Sequence, residues 1–131
     1  MNAYLTLVLI PDPAASTIAP GTVNVPAVGQ VWTLLPANNV VGRDPTPDVL
    51  VVLPWINVSR RHAEIELFEN NLWEIVDRQS RNGTYVNGQL LEKGNLTPLL
   101  NGDRIRIGDI ELVFSSHLDP VLPPDAVTPV A

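Results

Sequence analysis

Five residues of this 131-residue chain carry polar groups suited to one task, the binding of a small anion. Arg43, Ser59, Arg60, Arg81 and Asn82 all donate hydrogen bonds, and all fall at strand ends or in turns of the sequence. A phosphate dianion needs such donors: a guanidinium, hydroxyls, side-chain amides and free backbone N–H groups. Turns supply the last kind, because successive N–H groups can point into one concavity. Loops at one end of a rigid scaffold gather these groups from distant positions in the chain. The residues therefore describe an oxyanion site assembled from several loops.

Other chemistries fit less well. Ser59, His62 and Asp77 contain the letters of a hydrolase triad, yet no G-x-S-x-G elbow surrounds the serine. Read as a strand, residues 59–62 would set Ser59 and His62 on opposite faces. Two histidines and no cysteine provide no set of metal ligands at coordinating spacing. A nucleotide loop of the G-x-x-x-x-G-K-S/T type is missing. No catalytic residue, metal or cofactor is expected.

The elements that position the donors read as short strands. Ala3 to Ile10 is a buried strand stopped by Pro11 and Pro13. Residues 11–30 hold four of the thirteen prolines and no usable period, and read as a long loop insertion. Val31 to Leu35, Val40 to Gly42 and Val49 to Leu53 are further strands, with a turn over residues 44–48. Residues 59–77 are ambiguous. Ile65, Phe68, Leu72, Ile75 and Val76 fit one face of a helix capped by Ser59. The same stretch fits two strands, with Ala63, Ile65 and Leu67 inward, Glu64 and Glu66 outward, and a turn at Asn70-Asn71. The adjacent asparagines and the surrounding turn signals favour strands. Asn82-Gly83, Asn87-Gly88 and Asn101-Gly102 are tight-turn dipeptides, and Gly108-Asp109 joins a hairpin of residues 104–107 and 110–114. The pattern predicts an all-β protein, an antiparallel β-sandwich of about ten or eleven short strands. Trp32, Trp55 and Trp73 are expected in or beside its core.

Four blocks occur in order: Gly42-Arg43, then Val58-Ser59-Arg60-Arg61-His62-Ala63-Glu64-Ile65, then Ser80-Arg81-Asn82-Gly83-Thr84-Tyr85-Val86-Asn87-Gly88, then Asn101-Gly102-Asp103-Arg104-Ile105-Arg106-Ile107-Gly108. Together they resemble the forkhead-associated (FHA) domain, over about residues 30–114. The resemblance implies a non-catalytic module that binds phosphothreonine peptides. It assigns Arg43 and Ser59 to the phosphate, Arg60 to the phosphate or peptide backbone, and Asn82 to the peptide main chain. Arg81 stands where the family commonly has Thr or Ser, and adds charge. Gly42, His62, Gly83, Thr84 and Asn87 take loop-shaping parts, and Asn57 lies near where family members read the third residue after the phosphothreonine. A Ser/Thr protein kinase acting on the partner is implied as well. A docking module that keeps the FHA fold but binds without phosphate is the alternative.

On this reading residues 1–114 are the domain, comprising the first strand 3–10, the insertion 11–30 and the motif core 31–114. Residues 115–131 form a Pro-rich, flexible tail. The Met1 start reads as a true N-terminus. The net charge of -6 argues against nucleic acid as a partner, since phosphate-backbone affinity needs a basic footprint. All eight Lys and Arg lie between Arg43 and Arg106, which suits one local anion. No apolar run is long enough to span a bilayer, so no membrane partner is expected. The cysteine-free composition fits a cytoplasmic location.

Overall fold

The computed structural model describes residues 2–14 and 16–116. Period-two alternation of apolar and polar residues makes short strands that each present one face to a common core. In chain order they are β1 (Ala3–Leu9), β2 (Val31–Thr33), β3 (Asn38–Gly42), β4 (Val49–Val52), β5 (Ala63–Leu67), β6 (Trp73–Asp77), β7 (Thr84–Val86), β8 (Gln89–Leu90), β9 (Thr97–Leu99), β10 (Arg104–Ile107) and β11 (Ile110–Ser116). A 3-10 helix at Glu69–Asn71 joins β5 to β6.

The strands form two sheets, ordered β2-β1-β11-β10-β7-β8 and β4-β3-β5-β6-β9. Leu5 and Leu7 of β1, Leu112 and Phe114 of β11, and Ile105 and Ile107 of β10 face inward from the first sheet. Val41, Ile65, Trp73 and Ile75 face them from the second. Trp73 and Phe114 meet across the interface with ring centroids 6.1 Å apart. Trp55 is buried in the same core and Trp32 packs against it, as the sequence suggested. Each of these large side chains contributes roughly 1.5–3 kcal/mol by leaving water.

The ambiguous stretch is two strands. Ala63 pairs with Asp77 and Leu67 with Trp73 across an antiparallel ladder, and Asn71 takes a left-handed φ of 61° in the connection. One pairing departs from the expected antiparallel pattern. β3 and β4 run parallel, with Val41 opposite Val51 and Gly42 opposite Val52. Parallel neighbours usually need a long crossover. Here the loop 43–48 doubles back on itself, with Thr46 N–H on the Asp44 carbonyl and Val49 N–H on the Thr46 carbonyl.

β7, β8 and β9 lie in a region the sequence marks mainly by turns. Pro98 sits in β9, at the sheet edge where a residue with no N–H is tolerated. β11 continues through Ser115 and Ser116, two residues past the expected end of the domain, and pairs Ser116 with Ala3. The expected Pro-rich tail, from residue 117 onward, lies outside the described residues.

Candidate functional site

Three loops and one hairpin turn meet at one end of the sandwich: residues 43–48, 53–62 and 78–83, and Gly108-Asp109. Hydrogen bonds between them fix the arrangement. Arg43 N–H donates to the Ser59 carbonyl at 3.0 Å. Arg81 N–H donates to Ser59 Oγ at 3.0 Å. Asn82 Nδ2 donates to the Asn57 carbonyl at 2.8 Å, and Asn57 Nδ2 to Asp109 Oδ2 at 3.1 Å.

Gly42 permits the closest of these approaches. A Cβ at this position would lie 2.0 Å from the Arg60 carbonyl oxygen, so a side chain would push the Arg43 loop off the Ser59–Arg61 turn. Arg43 itself is half-buried. Its Nη1 donates to the carbonyls of Val58 at 3.1 Å and Ile56 at 3.4 Å, and its Nε lies 3.9 Å from Asp44 Oδ1. Nη2 has no partner among the described residues. The guanidinium is thus held in place with donors to spare.

Ser59 is similarly prepared. Its Oγ accepts from Arg81 N–H, which leaves the hydroxyl proton to donate. Arg60 and Arg81 have exposed side chains and take part in none of the ion pairs among the described residues. Asn82 is exposed and keeps its Oδ1 for a ligand, but one of its amide protons already tethers the Asn57 loop. Arg43, Asn57, Ser59, Arg60, Arg81 and Asn82 together line a shallow hollow of about 260 Å³. Arg61, by contrast, is paired with Asp48.

His62 is fully buried beneath these loops. Residues 59–61 form a turn rather than a strand, which corrects the expectation that Ser59 and His62 face apart. The turn folds the imidazole back so that Nδ1 accepts the Ser59 N–H at 3.0 Å. Nε2 lies 2.8 Å from the Gly83 carbonyl. A backbone N–H only donates and a carbonyl only accepts, so the ring is neutral with its proton on Nε2. Burial lowers its pKa below 6.5, against opposing contributions from the Gly83 carbonyl and Asp77. Both ring nitrogens serve backbone groups, and neither is bonded to the Ser59 hydroxyl.

The 78–83 loop rests on a buried carboxylate. Asp77 Oδ2 accepts from Ser80 N–H at 3.1 Å, and Oδ1 from the hydroxyls of Ser80 and Thr84. Ser80 Oγ then accepts from Gly83 N–H at 3.0 Å. Burial opposes the charge on Asp77, but these hydrogen bonds and the nearby His62 outweigh it and hold the pKa below 3.8. Gly83 turns with φ of 86°. The sequence reading missed the structural parts of Asp77 and Ser80. The signal was there in the spacing of Asp77, Ser80 and Thr84, an acceptor followed by two hydroxyls on either side of a turn.

Asn87 is not part of this end. Its Oδ1 accepts from Arg104 N–H at 2.9 Å and its Nδ2 donates to Asp103, which fastens the β7–β8 turn to the start of β10. The ladder between β7 and β10 puts Thr84 opposite Ile107, near the binding loops, and Val86 opposite Ile105, farther away. Asn87 therefore shapes a turn at the opposite end. Among the described residues no group of three or more His, Asp or Glu could hold a metal, and no helix is long and apolar enough to cross a membrane.

The FHA domain family's sequence model matches residues 39–108, which spans all the loops of this site. The chain belongs to the FHA family. It is 43% identical over 89 residues to the glycogen accumulation regulator GarA of Mycobacterium tuberculosis, covering 68% of this chain and 51% of the relative. It is 42% identical over 89 residues to an oxoglutarate dehydrogenase inhibitor of Corynebacterium jeikeium, covering 68% and 58%. The chain spans about half the length of these relatives. A solved FHA domain studied for phosphothreonine-dependent interactions superimposes with a TM-score of 0.65 at 28% identity, covering 90% of this chain and 99% of that one. FHA domains are modules of protein–protein interaction, and in this one the β-sandwich presents the loops of Arg43, Ser59 and Asn82 together.

Proposed function

We propose that this FHA domain binds phosphothreonine-containing proteins at the loop end, with Arg43 and Ser59 on the phosphate. The observation that carries the reading is the pairing of Arg43 and Ser59. Both are fixed by backbone hydrogen bonds, and both keep donors unused within the protein. Such donors, held before the ligand arrives, cost little ordering when an anion binds. Arg60 and Arg81 add positive charge around the hollow, and Asn82 offers its remaining amide groups to a peptide main chain. His62, Gly83 and Thr84 support the loops from below.

The binding unit in this proposal is residues 3–116, since β1 and β11 pair from Ala3–Ser116 to Leu9–Glu111. It acts by recognition and carries out no catalysis. Its partner is a protein phosphorylated by a Ser/Thr kinase, and the encounter takes place in the cytoplasm. The names of its relatives, a regulator and an inhibitor, support a regulatory role for that encounter.

The test is binding of the wild-type chain to matched peptide pools carrying threonine, phosphoserine or phosphothreonine at one fixed position. Retention of the phosphothreonine pool alone is expected. Equal retention of the unphosphorylated pool would replace this reading with phosphate-independent docking.

A further inference from the structure

The insertion between β1 and β2 is placed where it can take part in recognition. β1 ends with Leu9 opposite Glu111, just past the Gly108-Asp109 turn that holds Asn57. The insertion therefore leaves the sheet at the same end as the phosphate loops. It returns where Gly29 N–H donates to the Leu7 carbonyl at 2.8 Å. In between it runs along residues 54–56. Ile18 bridges to Trp55, Ala19 N–H donates to the Pro54 carbonyl at 2.7 Å, and Ile56 N–H to the Thr17 carbonyl at 2.9 Å.

This docking creates a second concavity. A mostly apolar groove of about 370 Å³ lies between residues 19–24 of the insertion and the segment formed by Arg43, Pro45, Val52 and Pro54. Arg43 lines both this groove and the phosphate hollow, so the two adjoin at that residue. Val23, on the lip, is 89% exposed. The backbone N–H and carbonyl groups of Val23, Asn24 and Val25 have no hydrogen-bond partner among the described residues. An apolar groove with an unpaired backbone along its rim suits an extended peptide, which brings side chains for the groove and main-chain groups for the rim.

We infer that the insertion builds a flanking subsite of the phosphopeptide site, which takes an aliphatic side chain of the peptide a few residues from the phosphothreonine. The inference rests on the phosphothreonine reading of the adjacent hollow. The occupant follows from adjacency: a peptide anchored by its phosphate at Arg43 must leave the hollow over one of its rims. The groove is the apolar exit beside that arginine. Two side chains distinguish the subsite from the hollow, Val23 on the lip and Val52 on the wall, and neither touches the phosphate loops' hydrogen bonds.

The experiment compares phosphothreonine peptides scanned with leucine or serine at each of five positions on either side of the phosphate. Leucine at one or two adjacent positions is expected to tighten binding to the wild-type chain about five- to tenfold, as partial burial of an aliphatic side chain does. Val23→Ser and Val52→Thr should each abolish that gain while binding the all-serine phosphopeptide as wild type does. Equal affinity for leucine and serine at every position, with phosphate-dependent binding intact, would overturn the subsite alone. A gain from leucine that survives both substitutions would place the contact elsewhere and also overturn it. Failure of every phosphopeptide to bind would defeat the phosphothreonine reading itself, and the subsite with it.

Discussion

His62→Ala removes a fully buried side chain that bonds both the Ser59 turn and the Gly83 turn. The cost follows from what it leaves behind. The Gly83 carbonyl is buried and loses its donor, which costs about 1–3 kcal/mol. The Ser59 N–H loses its acceptor but is only partly buried, so water can reach it and the cost is about 1 kcal/mol. The emptied volume lies under the loops and adds about 1 kcal/mol. The sum is roughly 3–5 kcal/mol, which for a domain of this size lowers Tm by about 12–20 °C. Urea unfolding followed by tryptophan fluorescence reads this directly. Phosphopeptide affinity, measured below the unfolding range, should fall less than stability does, because His62 acts on the ligand only through the loops. A variant with wild-type stability and no phosphopeptide binding would make His62 a ligand contact instead of a support for the loops.

Three further perturbations separate the parts of the site. Arg43→Ala should weaken phosphopeptide binding by about 2–4 kcal/mol in a calorimetric titration, through loss of a charged partner to the phosphate, and should leave Tm nearly unchanged. Gly42→Ala forces a Cβ against the Arg60 carbonyl, and should cost about 2–3 kcal/mol of stability together with much of the affinity, because it displaces Arg43. Asn82→Ala frees the Asn57 loop and should reduce affinity by roughly 1–3 kcal/mol with a smaller loss in Tm. Stability should also depend on pH in two steps. The folded pKa of His62 lies below 6.5, so its contribution is complete above pH 6.5 and is lost as the pH falls through the folded value. Asp77 follows the same sign below 3.8. In His62→Gln the first decline in the urea midpoint should vanish and the second remain; a first decline that persists assigns it to another group.

Much of this site is legible in the sequence because its parts are short and local. Glycine before Arg43, and the asparagine–glycine pairs, mark turns by backbone requirement alone. The helix-or-strand ambiguity of residues 59–77 yields to Asn70-Asn71, where the chain makes its 3-10 turn. What sequence periodicity does not carry is direction and distance. The parallel pairing of β3 with β4 depends on a loop that folds back through its own hydrogen bonds, and nothing in strand alternation encodes that. Asn87 stands three residues from Thr84, yet one short strand carries it to the far end of the sandwich. Ser59 and His62 face apart only if the segment is a strand, and the turn reverses that. The buried Asp77–Ser80–Thr84 cluster was hidden because polar residues beside a turn usually read as solvated. The insertion, with no usable period, revealed neither its path along Trp55 nor the groove it encloses.

If phosphothreonine binds at the loop end, on Arg43 and Ser59, the amides of those loops must respond to it. Backbone amide NMR of the labelled chain, titrated with one phosphothreonine peptide and its unphosphorylated twin, tests it most directly. The phosphorylated peptide should shift the amides of Arg43, Ser59, Arg60, Arg81 and Asn82 and leave Asn87 and Arg104 at the opposite end unchanged, and the twin should move none of them. Shifts centred on Tyr85, Asn87 and Arg104, or the same shifts with both peptides, would contradict it.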